Sequence, residues 1–206
     1  MHIPAADTAS LDILSFDEAL RQSRCAGYDR TRWLYVPDFY TEYRYVLGTR
    51  GKKPVICAGV NPSTAEPDHL DPTLQSVSRI AAGNGFDSFL MFNVYAQRAT
   101  RPDDMDRVRN ERLHEENRRA FRALLSMAAE GGARPVVWAA WGAVIEKRPW
   151  LTDCVRDFRQ DAAAFDAAWV CAGRLSKAGH PHHPLYLKSS LPLEPFDVNA
   201  YIHNVL

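Results

Sequence analysis

Net charge is the first thing this 206-residue chain lacks: Lys plus Arg number 25, and Asp plus Glu number 25. With no overall field, the whole-chain balance offers nothing to draw nucleic acid or an anionic membrane surface. Cysteine is sparse as well. Cys25, Cys57, Cys154 and Cys171 are scattered without paired spacing, which excludes a disulfide framework and a cysteine-built zinc site. Cys57 and Cys171 lie inside apolar runs, where a thiol behaves as a small buried hydrophobe. No apolar run approaches the roughly 20 residues of a membrane-spanning helix. Met1 to Asp7 lacks the basic start and apolar core of a signal peptide. The expected setting is cytoplasmic, with no membrane partner. Also absent are GxGxxG, the P-loop GxxxxGK and GxSxG. Dinucleotide oxidoreductase, P-loop nucleotidase and α/β-hydrolase readings fall with them. There are no internal repeats and no low-complexity segments.

What is present is an ordinary globular balance, 46% hydrophobic and 24% charged, in a length that fits one domain able to bury a core. Val55 to Val60 is a continuous apolar run, as expected of a strand buried on both faces, and it stops at Asn61-Pro62-Ser63-Thr64. Asp71-Pro72-Thr73 opens a helix, with Asp71 as N-cap and Pro72 at the first helical position; Gly83 and Gly85 close it. Ser88 to Tyr95 reads as a second strand. A helix is expected from about Asp104 to Glu130, with Leu113, Ala120, Phe121, Leu124 and Ala128 as its apolar stripe. Asn110 and Asn117 interrupt it weakly, so two pieces are the alternative. Pro135 to Trp141 and Ala167 to Ala172 give strands three and four, with a helix through Leu151, Val155 and Phe158 between them. Strands alternating with helices predict right-handed crossovers and a parallel sheet.

Residues 1–50 read as an extension packed on a domain formed by residues 51–206. Ser15-Phe16-Asp17-Glu18 has the form of a capping box, so a short helix is expected to about Ser23. Arg32 to Val36 and Glu42 to Leu47 are rich in Trp, Tyr and Val, and Pro37-Asp38 between them signals a turn, giving a β-hairpin or paired edge strands. Basic residues outnumber acidic ones from Arg21 to Lys53, which leaves open a local basic face or a solvated surface.

Ligands of open α/β sheets bind beyond the carboxyl ends of the strands, and all four predicted strands end in unusual clusters. Strand one gives Asn61, Ser63 and Thr64; strand two gives Asn93, Gln97, Arg98 and Thr100; strand three ends in Trp141-Gly142. Strand four leads to Arg174, Lys177, His180, His182 and His183. Asn61 precedes proline and so stays extended, free to aim an amide with one acceptor and two donor hydrogens into the crevice. Ser63, Thr64 and nearby N–H groups suit a phosphate or carboxylate, though Asn-Pro is also an ordinary turn starter. The planar fork of Arg98 suits the same anions, or else pairs with Asp71 or Asp103. In the histidine loop, prolines 181 and 184 stiffen a backbone whose imidazoles can serve as acid, base or electrophile. Three histidines this close rarely reach one tetrahedral ion, so no metal and no cofactor is expected.

Several of these segments together are similar to the family called domain-of-unknown-function 1643: Tyr43-Arg44-Tyr45, Asn61-Pro62-Ser63-Thr64-Ala65, Asp71-Pro72-Thr73, Asn93 with Arg98-Ala99-Thr100, Ala140-Trp141-Gly142, Gly173-Arg174, Lys177 with Gly179, His183-Pro184-Leu185-Tyr186-Leu187 and Pro195-Phe196. A second, looser resemblance is to the uracil-DNA glycosylase superfamily. There an Asn-Pro motif after strand one positions the attacking water, and a His-Pro motif follows strand four. Asn61-Pro62-Ser63 is similar to the first, and His183-Pro184-Leu185 or His180-Pro181 resembles the second. Ser63 departs from the Gly of that pattern, and only Phe92 and Tyr95 stand as candidates for a base-stacking aromatic. The resemblance implies a three-layer α/β/α sandwich around a central four-stranded, mainly parallel sheet, with the N-terminal helix and hairpin added.

Three functional expectations follow. In the first, an N-glycosidic hydrolase acts on a nucleobase in DNA or in a free nucleotide: Asn61 orients water, His180 or His183 stabilises the departing base, and Arg98, Arg174 and Lys177 hold phosphates. Asn93, Ser63, Thr64 and Trp141 complete the binding wall. The neutral net charge favours a small nucleotide over duplex DNA. The second is a non-catalytic nucleotide or nucleic-acid binding module using the same crevice, and the third is a metal-dependent hydrolase centred on the histidine loop. Oligomeric state is not readable.

Overall fold

The computed structural model describes residues 2–4, 7–22, 24 and 27–206. The expected helix end at Ser23, and Cys25, lie outside that set. Along the chain the elements are α1 (Phe16–Arg21), β1 (Trp33–Val36), β2 (Val46–Thr49), β3 (Pro54–Gly59), α2 (Pro72–Gly83), β4 (Ser88–Asn93), α3 (Glu111–Ala128), β5 (Val136–Ala139), α4 (Pro149–Ala163), β6 (Ala168–Ala172), β7 (Leu193–Pro195) and α5 (Val198–Asn204).

The apolar runs become the sheet. β4, β3, β5 and β6 lie side by side in parallel, and the longest register runs from Pro54 opposite Ser88 to Gly59 opposite Asn93. The sheet is wider than the expected four strands: the full order is β1-β2-β4-β3-β5-β6-β7. Two additions make up the difference. The β1–β2 hairpin joins β4 antiparallel through Leu47 opposite Met91, and β7 joins β6 antiparallel through Cys171 opposite Glu194. The hairpin's second strand begins at Val46, later than expected, because Tyr43 and Arg44 follow the chain beyond β4 instead: Tyr43 bridges Gln97 and the Arg44 N–H donates to the Ala96 carbonyl at 2.9 Å. β7 and α5 had no sequence signal strong enough to read; each is short.

Alternation along β3 explains why it is apolar throughout. Val55 and Cys57 pack with Leu74, Val77 and Ile80 of α2 on one face, while Ile56 and Ala58 pack with Phe121 and Leu124 of α3 on the other. Helices therefore cover both faces of the central strands. Asp71 caps α2 as expected, its carboxylate accepting from the Leu74 N–H at 2.9 Å, and Ser15 and Glu18 form the capping box of α1.

The third helix differs from its expected span of Asp104 to Glu130. It starts at Glu111, capped by Asn110, whose side chain accepts from Leu113 N–H at 3.2 Å. Asp106 accounts for the late start. Its buried carboxylate accepts from the Thr8 N–H at 3.0 Å, from the Tyr95 hydroxyl at 2.6 Å and from Gln97 Nε2 at 3.1 Å, holding residues 105–110 off the helical path. Asn117 causes no break; it is buried within α3 and donates to the Asn93 carbonyl at 2.9 Å. Cys57, Cys154 and Cys171 are free and buried, and no described helix is long and apolar enough to cross a membrane.

Candidate functional site

A cavity of about 410 Å³ opens at the carboxyl ends of β3, β4 and β5. Gly59, Met91 and Asn93 reach it from the strands, Asn61, Pro62 and Ser63 from the loop after β3, and Asp71 to Leu74 from the start of α2. Thr100, Trp141 and Val144 line another part, with His183, Leu185 and Tyr186 from the histidine loop.

The Asn61 loop is fixed by its neighbours. Asn61 Nδ2 donates to the Ala99 carbonyl at 2.6 Å and to the Pro62 carbonyl at 3.1 Å. Both donor hydrogens are thereby engaged in shaping the loop, and the amide oxygen is what remains for a ligand or water. The Ala99 N–H returns a bond to the Pro62 carbonyl at 2.9 Å, tying the loop to the chain after β4.

Arg98 sits beneath this loop, fully buried. It donates to the Ser63 carbonyl, to Ala65 O at 3.5 Å and to the Tyr35 hydroxyl at 2.8 Å, and its guanidinium lies 4.4 Å from the centre of the Tyr40 ring. Neither Asp71 nor Asp103 pairs with it. Arg44 is buried beside it, donates to the same Ala65 carbonyl at 2.8 Å, and lines the cavity. Neither arginine has a carboxylate partner among the described residues. Burial pulls the Arg44 pKa down to about 9, with the Arg98 charge as the next cause and Tyr35 and Asp71 opposing.

Asn93, at the end of β4, is 1% exposed and lines the cavity, yet neither Oδ1 nor Nδ2 has a hydrogen-bond partner. A buried amide with both ends unmet is costly, about 1–3 kcal/mol for each group, and such exceptions call for an explanation. Gly59 makes room for it: a Cβ there would stand 3.0 Å from Asn93 Oδ1 and 2.6 Å from Met91 Cε.

The histidine loop divides in two. His180 is buried away from the cavity, its Nδ1 2.9 Å from the Tyr201 hydroxyl and its Nε2 3.2 Å from Glu146 Oε1. The Trp141 indole N–H donates to Tyr201 at 3.0 Å, so the Tyr201 O–H donates onward to His180 and the His180 Nε2–H to Glu146. The Trp141 ring is buried against Trp169, Phe196 and Tyr201, although the residue borders the cavity. His183, three residues on, lies at the cavity rim, and its Nδ1 accepts from the Leu185 N–H at 3.3 Å, leaving Nε2–H as the donor. Desolvation lowers the His183 pKa and the Asp71 carboxylate opposes this. Gly142 beside it sits at φ +60°, the left-handed region that glycine enters without strain.

The same segments match the family described as protein of unknown function, DUF1643, over residues 44–185, more than half of the chain. The chain belongs to the DUF1643 family. No curated protein and no solved structure matches it.

Of the predicted site residues, this DUF1643 fold brings Asn61, Ser63, Asn93, Trp141 and His183 to one cavity. It places Arg98 behind the cavity wall and leaves Thr64 exposed outside it. Arg174 is exposed and borders a separate surface depression with Phe196 and Tyr201, and Lys177 is exposed elsewhere. The two aromatics considered for base stacking are both structural. Phe92 packs in the core 4.9 Å from Phe121 and 5.0 Å from Phe158, and Tyr95 bonds Asp106. Cavity residues that escaped the sequence reading of roles include Arg44, inside an aromatic run that signals only a strand, Asp71 and Thr73, read only as a helix start, and Tyr186, 90% exposed at φ +65°. Among the described residues no group of three or more His, Cys, Asp or Glu is placed to hold a metal.

Proposed function

We propose that this cavity takes a nucleobase-bearing ligand and hydrolyses its N-glycosidic bond. The observation that carries the reading is Asn93. A buried amide with its donor and its acceptor both unmet suits a ligand that offers an acceptor and a donor side by side, as the edge of a nucleobase does. Tyr186 is an exposed ring at the cavity rim.

The proposed chemistry uses the groups around that amide. The Asn61 oxygen accepts from a water, which is thereby oriented toward the anomeric carbon. Asp71, the one carboxylate along the cavity, offsets positive charge developing on the sugar. The new C–O bond forms as the C–N bond breaks, its electron pair leaves with the base, the proton shed by the attacking water ends on that base, and His183 Nε2–H donates a hydrogen bond to it. His180 is left out of this proposal, both ring nitrogens being engaged with Tyr201 and Glu146.

The test is release of free base, followed by chromatography, from nucleosides, 5′-nucleotides and uracil- or hypoxanthine-containing single-stranded DNA. Release that disappears in Asn93→Ala and Asn61→Ala, with both variants folded, is expected. One specific feature favours a second reading, a nucleotide-binding module without turnover: Asp71 already gives one carboxylate oxygen to the cap of α2. Saturable binding of the same panel with no base released selects that reading, and absence of both binding and release removes the two together.

A further inference from the structure

Arg44 and Arg98 are the least expected pair of side chains in the molecule. Both guanidiniums are fully enclosed, 1% and 0% exposed, and they converge on one carbonyl, that of Ala65. Long basic side chains are almost never fully buried unless a carboxylate or other anion accompanies them. Arginine does not escape the penalty by losing its proton at neutral pH. Here the neutral acceptors are two carbonyls and the Tyr35 hydroxyl, and Nε of each arginine is without a partner. Asp71 is the main acidic influence on Arg44, and it weighs less than the repulsion from Arg98.

Two other features of the same wall favour an anion. The 12-residue helix α2 presents its first turn to the cavity at Pro72, Thr73 and Leu74; Asp71 already takes the Leu74 N–H and Pro72 has none, so the Thr73 N–H at the positive end of the helix dipole is what this turn adds to the wall. The side chains of Ser63, Thr73 and Thr100 bring hydroxyl groups to it. Of the two arginines, only Arg44 lines the open space, so it is the contact and Arg98 the reinforcing charge behind it.

We infer that Arg44, backed by Arg98 and the start of α2, is the anchor of a phosphate subsite, and that the ligand is a small phosphate monoester such as a nucleoside monophosphate. This rests on the nucleobase reading above and adds the second half of the ligand to it. Burial decides between the two sources of phosphate. To reach a guanidinium that is 1% exposed, a phosphate must leave the protein surface. A terminal phosphate can do so; a phosphodiester, tethered on both sides to a continuing strand, cannot without dragging the strand in. Arg174 and Lys177, the cations first expected to hold phosphate, are exposed and away from the cavity, so they do not compete for this role.

Calorimetric titration of the full chain with matched pairs tests this: nucleosides, their 5′-monophosphates, inorganic phosphate, and single-stranded oligonucleotides without terminal phosphates. Monophosphates are expected to bind at least tenfold more tightly than their nucleosides, and inorganic phosphate is expected to compete with them. Arg44→Gln should abolish that advantage while leaving nucleoside affinity within twofold. If Arg44→Gln does not fold, Arg44→Lys keeps a charge and loses the planar fork, and is expected to reduce the advantage several-fold. Equal affinity for nucleosides and monophosphates overturns the inference, while leaving the nucleobase reading standing. Preference for oligonucleotides over monophosphates also overturns it. Phosphate-dependent binding with no discrimination among bases supports the subsite and removes the nucleobase reading, so the two failures are separable.

Discussion

Two polar clusters lie beyond the end of β4, a few residues apart in sequence, and they are built on opposite terms. In the first, the Asp106 carboxylate receives hydrogen bonds from Thr8, Tyr95 and Gln97, and its own N–H donates to Gln97 Oε1 at 2.7 Å. Tyr95 also accepts from the Asn110 N–H at 3.0 Å. In the second, Asn93 has neither end of its amide met, and Arg44 and Arg98 lack carboxylates. A closed network fixes structure; an open one in a cavity is a site that something else completes. The contrast separates residues that hold the fold from residues that await a ligand, without any appeal to residue type, since both clusters use buried amides and charges.

The largest effect is expected where the closed network is cut. Asp106→Ala strands several buried donors, and urea unfolding should show a loss of about 3–5 kcal/mol; a loss below about 1 kcal/mol would erase the distinction between the clusters. The counterpart in the open cluster is Asn93→Leu. It removes two unmet polar groups, so stability should stay within about 1 kcal/mol of the parent while binding of nucleosides falls at least tenfold by calorimetry. A cost comparable to that of Asp106→Ala would mean that Asn93 is structural.

His114 lies between the two classes: it is 4% exposed, bonded to Asp157 at 2.8 Å through Nε2, and unmet at Nδ1. Burial lowers its pKa below the ordinary 6.5, against the opposing hydrogen bond that its Nε2–H donates to Asp157. The unfolded chain therefore binds this proton more readily than the folded one. The associated stability is complete above pH 6.5 and is lost as pH falls from there toward the depressed folded value. Unfolding titrations between pH 8 and 5 should show that decline, and His114→Gln should flatten it; an unchanged slope would assign the titration elsewhere. The smallest effect is expected at Tyr186, held at φ +65°. Tyr186→Gly should raise stability by about 1 kcal/mol by relieving the left-handed backbone, and should weaken any ligand that stacks on the ring. A fall in melting temperature would indicate that the ring itself braces the loop.

Much of the frame was legible in the chain. The continuous apolar runs marked the parallel strands, because a strand covered on both faces has no polar side, and Asp71-Pro72 and Ser15 to Glu18 marked helix starts through capping chemistry. The edges of the sheet were harder. β7 spans three residues and depends on contact with β6 for its existence, and the register of the hairpin was set by Tyr43 and Arg44 bonding past it to the chain after β4. The helix expected from Asp104 failed at its start because the partners of Asp106 come from Thr8, Tyr95 and Gln97, remote information that helical periodicity does not hold.

By itself the sequence determined an α/β chain whose unusual residues gather at the carboxyl ends of its strands, because local periodicity and capping are properties of neighbouring residues. Which of those residues meet in space was decided by tertiary structure alone. His180 and His183 are three positions apart and of one type, yet one is locked between Tyr201 and Glu146 and the other lines the cavity. Arg44 reads in the chain as a charged residue in a strand-forming run, and packing turns it into a buried cation facing the cavity. Burial and the satisfaction of hydrogen bonds belong to the whole fold, and they are what set the candidate site apart from its surroundings.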